Sequence, residues 1–191
     1  MRQALFVDRD GTIIHDPGYL SRVEQISFFP DVLKKLALIK KQGLLLFIIT
    51  NQSGIGRGYF TEDQLREIHE ALCAMMIDAG VSVDAIKYCP HAPAENCPHR
   101  KPSPNMVLDL AAKFDVDLKK SFFVGDKLSD VQTGKNAGCK TVLITHGKEL
   151  IDLIETNKFW VEADINTDTP EQAFQWVLDQ VSVDDKKETA L

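Results

Sequence analysis

"ALFVDRDGTIIHD", residues 4–16, carries an apolar run straight into a pair of carboxylates, Asp8 and Asp10, and turns at once through Gly11-Thr12. An apolar run without polar alternation is what a parallel strand covered on both faces requires. Runs of the same kind recur at "LLLFIIT" (44–50), "AIKYC" (85–89), "SFFVGD" (121–126) and "TVLIT" (141–145). Helical periodicity fills the intervals. In "TEDQLREIHEALCAMMIDAG" (61–80), Leu65, Ile68, Leu72, Met75 or Met76, and Ala79 share one face, and Thr61 with Gln64 forms a capping box. Further helices are predicted over 31–42, 104–114, 129–137, 148–156 and 170–181, with starts marked by Ser103-Pro104, by Ser129 and Gln132, and by Thr169-Pro170. Strand alternating with helix predicts an α/β fold, a doubly wound, mainly parallel sheet with helices on both faces. In such a sheet ligands gather outside the carboxyl ends of the strands.

Composition agrees with a single domain. The 191 residues are 44% apolar in type and 26% charged, enough for one core over 1–183, with "DDKKETAL" (184–191) expected as a solvated tail. A net charge of -6 and a pI near 5.4 speak against a nucleic-acid partner, which needs a concentrated Lys/Arg surface. "MRQALFVDRD" lacks the apolar core of a signal peptide, and no stretch approaches the roughly 20 apolar residues of a membrane span. A cytoplasmic protein without membrane attachment is expected, as a monomer. In a reducing compartment Cys73, Cys89, Cys97 and Cys139 do not read as a disulfide framework, so any clustering among them points to metal or catalysis.

The predicted strand ends carry the chemistry. Asp8 and Asp10 end the first strand, Thr50 and Asn51 the second, and Gly125-Asp126 the fourth. Carboxylates brought together repel unless a cation or a proton compensates. Oxygen-only ligation suits Mg²⁺, which accepts a substrate phosphate as a further ligand. Thr50, the backbone N–H groups of "TNQSG" with Asn51, Gln52 and Ser53, and Lys101 in "RKP" are donors for phosphate oxygens. A carboxylate nucleophile, a second carboxyl group, a divalent cation and a lysine make a phosphoryl-transfer site.

"DRDGT", "TNQSG", "RKP" and "GDKLSD", in that order over residues 4–145, resemble the four motifs of the haloacid dehalogenase superfamily of phosphohydrolases. The resemblance implies that Asp8 attacks phosphorus and that Asp10 protonates the leaving alkoxide and then activates water. Thr50 and Lys101 would hold the transferring group. Asp8, the backbone carbonyl of Asp10, and Asp126 would bind Mg²⁺, and Asp130 would orient Lys127 or a metal-bound water. A binding module of the same fold without catalysis is the rival reading, although each chemically required side chain is present.

"CPHAPAENCPHRKP" places Cys89, His91, Cys97 and His99 immediately before Arg100-Lys101, and two thiolates with two imidazoles can close a tetrahedron around Zn²⁺. A structural metal would stabilise a Pro-rich loop that has no large apolar residues and would fix where Lys101 points. The superfamily branch with this loop, which includes histidinol-phosphate and heptose-bisphosphate phosphatases, shows Cys-x-His followed by Cys-x-Cys; here His99 stands at the last Cys position. Cys73 and Cys139 read as structural.

The absence of a large insertion resembles the capless part of the superfamily, where short loops, here 15–26, 51–60 and 89–102, cover the site. "DPGY" (16–19) and "GIGRGYFTE" (54–62) resemble the heptose-bisphosphate group, which implies a phosphorylated sugar as substrate, with histidinol phosphate as the alternative. Arg57, Arg100 and Lys127 are then candidates for a second phosphate, and Asp16 and Tyr19 for sugar hydroxyls.

Overall fold

A computed structural model of the chain describes residues 1–149, 151–152 and 161–188. Strands β1 (Ala4–Val7), β2 (Leu45–Asn51), β3 (Ala85–Cys89), β4 (Phe122–Gly125), β5 (Lys140–Ile144) and β6 (Ile165–Thr167) form one sheet in the order β3-β2-β1-β4-β5-β6. Every neighbouring pair is parallel. The helices are α1 (Val32–Lys41), the single turn α2 (Ser53–Gly56), α3 (Glu62–Asp78), α4 (Asn105–Phe114), α5 (Leu128–Ala137) and α6 (Pro170–Glu188). The doubly wound parallel sheet expected from the sequence is therefore present, and β1 lies in its middle.

Period-two alternation sends successive strand residues to opposite faces, and both faces are covered. Leu5, Val7, Leu46, Ile48, Phe122 and Val124 pack with Leu36 of α1, Ile68 and Leu72 of α3, and Phe174 and Val177 of α6. Ala4, Phe6, Leu45, Phe47, Ile49 and Phe123 pack on the other side with Met106, Val107 and Leu110 of α4. Phe6 has no exposed surface, and its ring lies 5.2 Å from Phe47 and 6.5 Å from Phe123. Truncating such a side chain to alanine costs about 3–5 kcal/mol, so the floor under the strand ends is rigid.

Helix boundaries follow the capping chemistry, with instructive exceptions. At α3 the Thr61 hydroxyl accepts from Gln64 N–H at 3.2 Å and Gln64 Oε1 accepts from Thr61 N–H at 2.8 Å, the predicted box. At α6 Thr169 Oγ1 accepts from Gln172 N–H at 3.3 Å. The box expected from Ser129 and Gln132 does not form. Instead α5 starts at Leu128, and Asp130 Oδ2 accepts from Lys127 N–H at 3.0 Å, a carboxylate being the stronger acceptor at a helix start. Residues 184–188, expected as a tail, continue α6, because no Gly or Pro stops the helix after Pro170. The short edge strand β6 was not predicted, and the expected helix over 148–156 falls mostly outside the described residues. Among the described residues, no helix is long and apolar enough to cross a membrane.

Candidate active site

The carboxyl ends of β1, β2 and β4 converge because these strands are neighbours in register. Val7 is paired with Ile48 on one side and Val124 on the other, and Asp8 N–H donates to Val124 O at 3.0 Å. Asp8 is 3% exposed and Lys101 is 5% exposed. The Lys101 ammonium donates to Asp8 Oδ1 at 2.7 Å and to the Ile49 carbonyl at 2.8 Å, and it forms an ion pair with Asp130 Oδ1 at 2.6 Å. The loop carrying it is pinned by Asn51, whose Oδ1 accepts from Lys101 N–H at 3.1 Å while Nδ2 donates to Lys101 O at 3.2 Å.

These contacts set the charges. Burial works against the Asp8 carboxylate, but the Lys101 and Lys127 ammoniums outweigh it and hold its pKa below the ordinary value. Burial also disfavours the Lys101 cation, yet Asp130 and Asp8 raise its pKa. Asp126 is pushed up to about 8, first by burial, with relief from Lys127 and repulsion from Asp8 and Asp130. Burial likewise raises Asp130. Asp126 Oδ1 is buried without a hydrogen-bond partner, and Asp8, Asp126 and Asp130 bring carboxylate oxygens within 4.8 Å of one another. A hard divalent cation with oxygen ligands fits that donor set. Gly11 turns the chain here at φ +78°, where a Cβ would run into Asp126 Oδ2, so only glycine suits the position.

Asp10 faces a different set of partners. Arg9 Nε donates to its Oδ1 at 3.1 Å, Arg9 Nη2 to its Oδ2 at 2.9 Å, and Gln52 Nε2 to Oδ2 at 2.9 Å. Gln52 Nε2 also donates to Thr50 Oγ1 at 2.8 Å, which links the end of β2 to the second acid. Arg9 has no exposed surface, and its Nη1 lies 3.0 Å from His69 Nε2 of α3. Neither Arg9 nor His69 was singled out from the sequence. A permanently charged Arg between two Asp at the end of an apolar strand was the available signal, since such a group must find partners inside.

A cavity of about 810 Å³ opens over these groups, lined by Asp10, Asp16, Tyr19, Asn51, Gln52, Ser53, Arg100, Lys101 and Lys127 among others. The three loops expected to cover the site all contribute. Arg57, at the end of α2, is exposed and is not among the lining residues, because the turn after Gly56 carries it outward. Asp16 Oδ1 accepts from Gly18 N–H at 2.8 Å, and Lys127 Nζ lies 3.7 Å from Asp16 Oδ2 and 4.0 Å from Asp126 Oδ1. Asp130 therefore pairs with the ammonium of Lys101 and not that of Lys127; only the backbone of Lys127 reaches it. The Tyr19 and Tyr59 rings meet edge to face at 4.6 Å beside the opening.

The Cys-His loop is partly assembled. Cys89, His91 and Cys97 bring ligand atoms within 4.8 Å of one another, and Cys89 Sγ is 3.8 Å from His91 Nδ1, a donor set that fits Zn²⁺. His99 does not join them. Its Nε2 lies 3.4 Å from Asp109 Oδ2, on the outer face of α4, so the fourth-ligand role expected for it is not seen. Arg100 Nη1 donates to His91 O at 3.0 Å, which ties this loop to the cavity wall.

Paired acids and a buried lysine at the carboxyl edge of a doubly wound sheet, with a divalent-cation donor set beneath a polar cavity, define a phosphatase of the HAD-like hydrolase class. Residues 98–168 match the HAD-hydrolase-like family. The D-glycero-beta-D-manno-heptose-1,7-bisphosphate 7-phosphatase of Pasteurella multocida (strain Pm70) is 41% identical over 159 residues, spanning 80% of this chain and 86% of the relative. That of Escherichia coli (strain K12) is 39% identical over 167 residues, spanning 83% and 87%. The D,D-heptose 1,7-bisphosphate phosphatase of B. bronchiseptica, solved in complex with magnesium and phosphate, superposes with a TM-score of 0.82 at 29% identity, covering 93% of this chain and 99% of that one. The chain belongs to the D-glycero-beta-D-manno-heptose-1,7-bisphosphate 7-phosphatase family.

Proposed function

We propose that the protein removes the 7-phosphate of D-glycero-β-D-manno-heptose 1,7-bisphosphate through an aspartyl-phosphate on Asp8. The observation that carries the reading is the buried Lys101–Asp8 contact of 2.7 Å beneath a cavity whose wall includes Arg100 and Lys127. A lowered pKa keeps Asp8 anionic and nucleophilic. Asp10, held by Arg9 and Gln52, would take up a proton from solvent, give it to the sugar oxygen as the P–O bond breaks, and regain one from the water that cleaves the acyl phosphate. Thr50 and Lys101 hold the transferring phosphoryl oxygens, and Arg100 with Lys127 holds the phosphate that stays.

Asp8, Asp126 and the carbonyl of Asp10 would hold Mg²⁺, with Asp130 close by. When bound, the cation neutralises charge on the phosphoryl oxygens and offsets the repulsion among the carboxylates. The relative solved with magnesium and phosphate supports this choice of metal. Zn²⁺ at Cys89, His91 and Cys97 would act structurally, fixing the loop that carries Arg100 and Lys101. The sugar-phosphate chemistry supports a cytoplasmic protein.

A substrate panel with both anomers of the bisphosphate and histidinol phosphate tests the assignment. Preference for the β bisphosphate is expected. Preference for histidinol phosphate would move the protein to the alternative reading, and no phosphate release from any member with Mg²⁺ present would favour the binding module.

A further inference from the structure

A guanidinium with no exposed surface has to be neutralised and have its donors satisfied within the protein. Arg9 meets this requirement in two directions. One edge, Nε and Nη2, forms a fork on the two oxygens of Asp10 at 3.1 and 2.9 Å. The remaining nitrogen, Nη1, lies 3.0 Å from His69 Nε2. Arginine has only donors and keeps its protons, so His69 Nε2 must be the acceptor and the imidazole proton must sit on Nδ1.

His69 is itself held in place. It follows Ile68 on α3, whose buried Leu65, Ile68, Leu72 and Met76 fix the rotation of the helix against the sheet. Its ring meets Tyr88 of β3 edge-on at 5.8 Å. The position of the guanidinium, and through it the plane of the Asp10 carboxyl, is therefore referred to the helix-sheet interface and not to the mobile atoms of a bound substrate.

We propose that His69 is a positioning residue for Asp10, acting through Arg9 and outside the cavity that receives substrate. The proposal rests on the reading of Asp10 as the acid that protonates the leaving alkoxide. Without the His69 lone pair, Nη1 is left as a buried donor of a charged group with nothing to accept it. The guanidinium then turns toward another acceptor, and Asp10 turns with it away from the leaving oxygen.

The consequence depends on the leaving group. A sugar alkoxide needs a proton as the P–O bond breaks, whereas p-nitrophenolate does not, and kcat/KM reports only the steps up to formation of the aspartyl-phosphate. His69→Phe should lower kcat/KM for the heptose bisphosphate by about 10–100-fold, the scale of outer-shell partners of a reacting group. For p-nitrophenyl phosphate the same variant should lose less than about threefold, because acid catalysis contributes little there. His69→Gln, which offers a carbonyl acceptor in place of Nε2, should recover most of the loss. Arg9→Lys, which keeps the charge without the fork, should repeat the selective loss.

Asp10→Asn serves as the reference. If it loses activity on the sugar ester far more than on the aryl ester while the folded His69 and Arg9 variants lose on both equally, or on neither, the positioning role is overturned and the acid assignment stands. If Asp10→Asn itself shows no such discrimination, the assignment of the acid fails first, and the proposal falls with it.

Discussion

Lys101 Nζ lies 2.7 Å from Asp8 Oδ1, a contact that spans 93 residues of chain and holds the proposed nucleophile against the ammonium that would bind the phosphoryl oxygens. The ammonium keeps Asp8 ionised, and the same ammonium pairs with Asp130. Asp8→Asn keeps the shape but removes the nucleophile. Turnover should fall on the order of 10³-fold or more, as for other covalent nucleophiles, with thermal unfolding still cooperative. Steady-state phosphate release from the folded variant is the check, and near-normal turnover would rule out the covalent route.

Proton linkage offers a second test. The Asp126 pKa is raised from 3.8 to about 8, chiefly by burial, so the folded metal-free protein holds a proton that the unfolded chain releases. The contribution of this group to stability is complete below its unfolded value and is lost as pH rises through about 8. Metal competes with that proton. Mg²⁺ affinity should climb about tenfold per pH unit below pH 8 and then level off, with proton release seen by calorimetry in buffers of different ionisation heat. Mg²⁺ binding at pH 7 without proton uptake by the buffer would show that Asp126 is already ionised.

The loop histidines separate in a metal assay. Protein purified without added zinc should carry about one equivalent, because the clustered thiols and imidazole match zinc coordination. Cys97→Ser should lose most of the metal and lower Tm. His99→Ala should retain it, because the His99 ring lies against Asp109. Equal metal loss in the two variants would return His99 to the ligand set.

Arg100 and Arg57, both candidates for the second phosphate, part company in the same way. Arg100 lines the cavity and Arg57 does not. Arg100→Ala should weaken transition-state binding of a bisphosphate by about 2 kcal/mol, the worth of a charge-assisted hydrogen bond, and affect a sugar monophosphate far less. Arg57→Ala should change neither. Comparing kcat/KM on the two substrates decides it, and an equal loss with Arg100→Ala would assign that residue to the Cys-His loop, through its contact with His91 O, instead of to substrate.

The strand ends were legible because the signal is local: continuous apolar runs mark buried parallel strands, and an acid placed directly after one has few explanations other than chemistry. Asp8, Thr50 and Asp126 meet for that reason, and Lys101 reaches them from the loop after β3. Asn51 and Gln52, expected as substrate contacts, line the cavity, and their amides also hold Lys101 and Asp10, contacts made by partners far away in sequence. The resemblance implied that Asp130 orients Lys127 or a metal-bound water, whereas its ammonium partner here is Lys101, from another loop. β6 escaped because three half-covered residues at a sheet edge carry no run long enough to read. For His99, ligand spacing says which atoms could meet, and not which way a ring turns when Asp109 lies 3.4 Å from it.

The central place of β1 between β2 and β4 also orders events in time. Asp8 leaves the ribosome first, Lys101 follows, and Asp126 comes last of the three. Until β4 slots in beside β1, Asp8 lacks Asp126, the carboxylate with which it would share a cation. The site is thus a property of the finished sheet, assembled only when its central strand has found both neighbours.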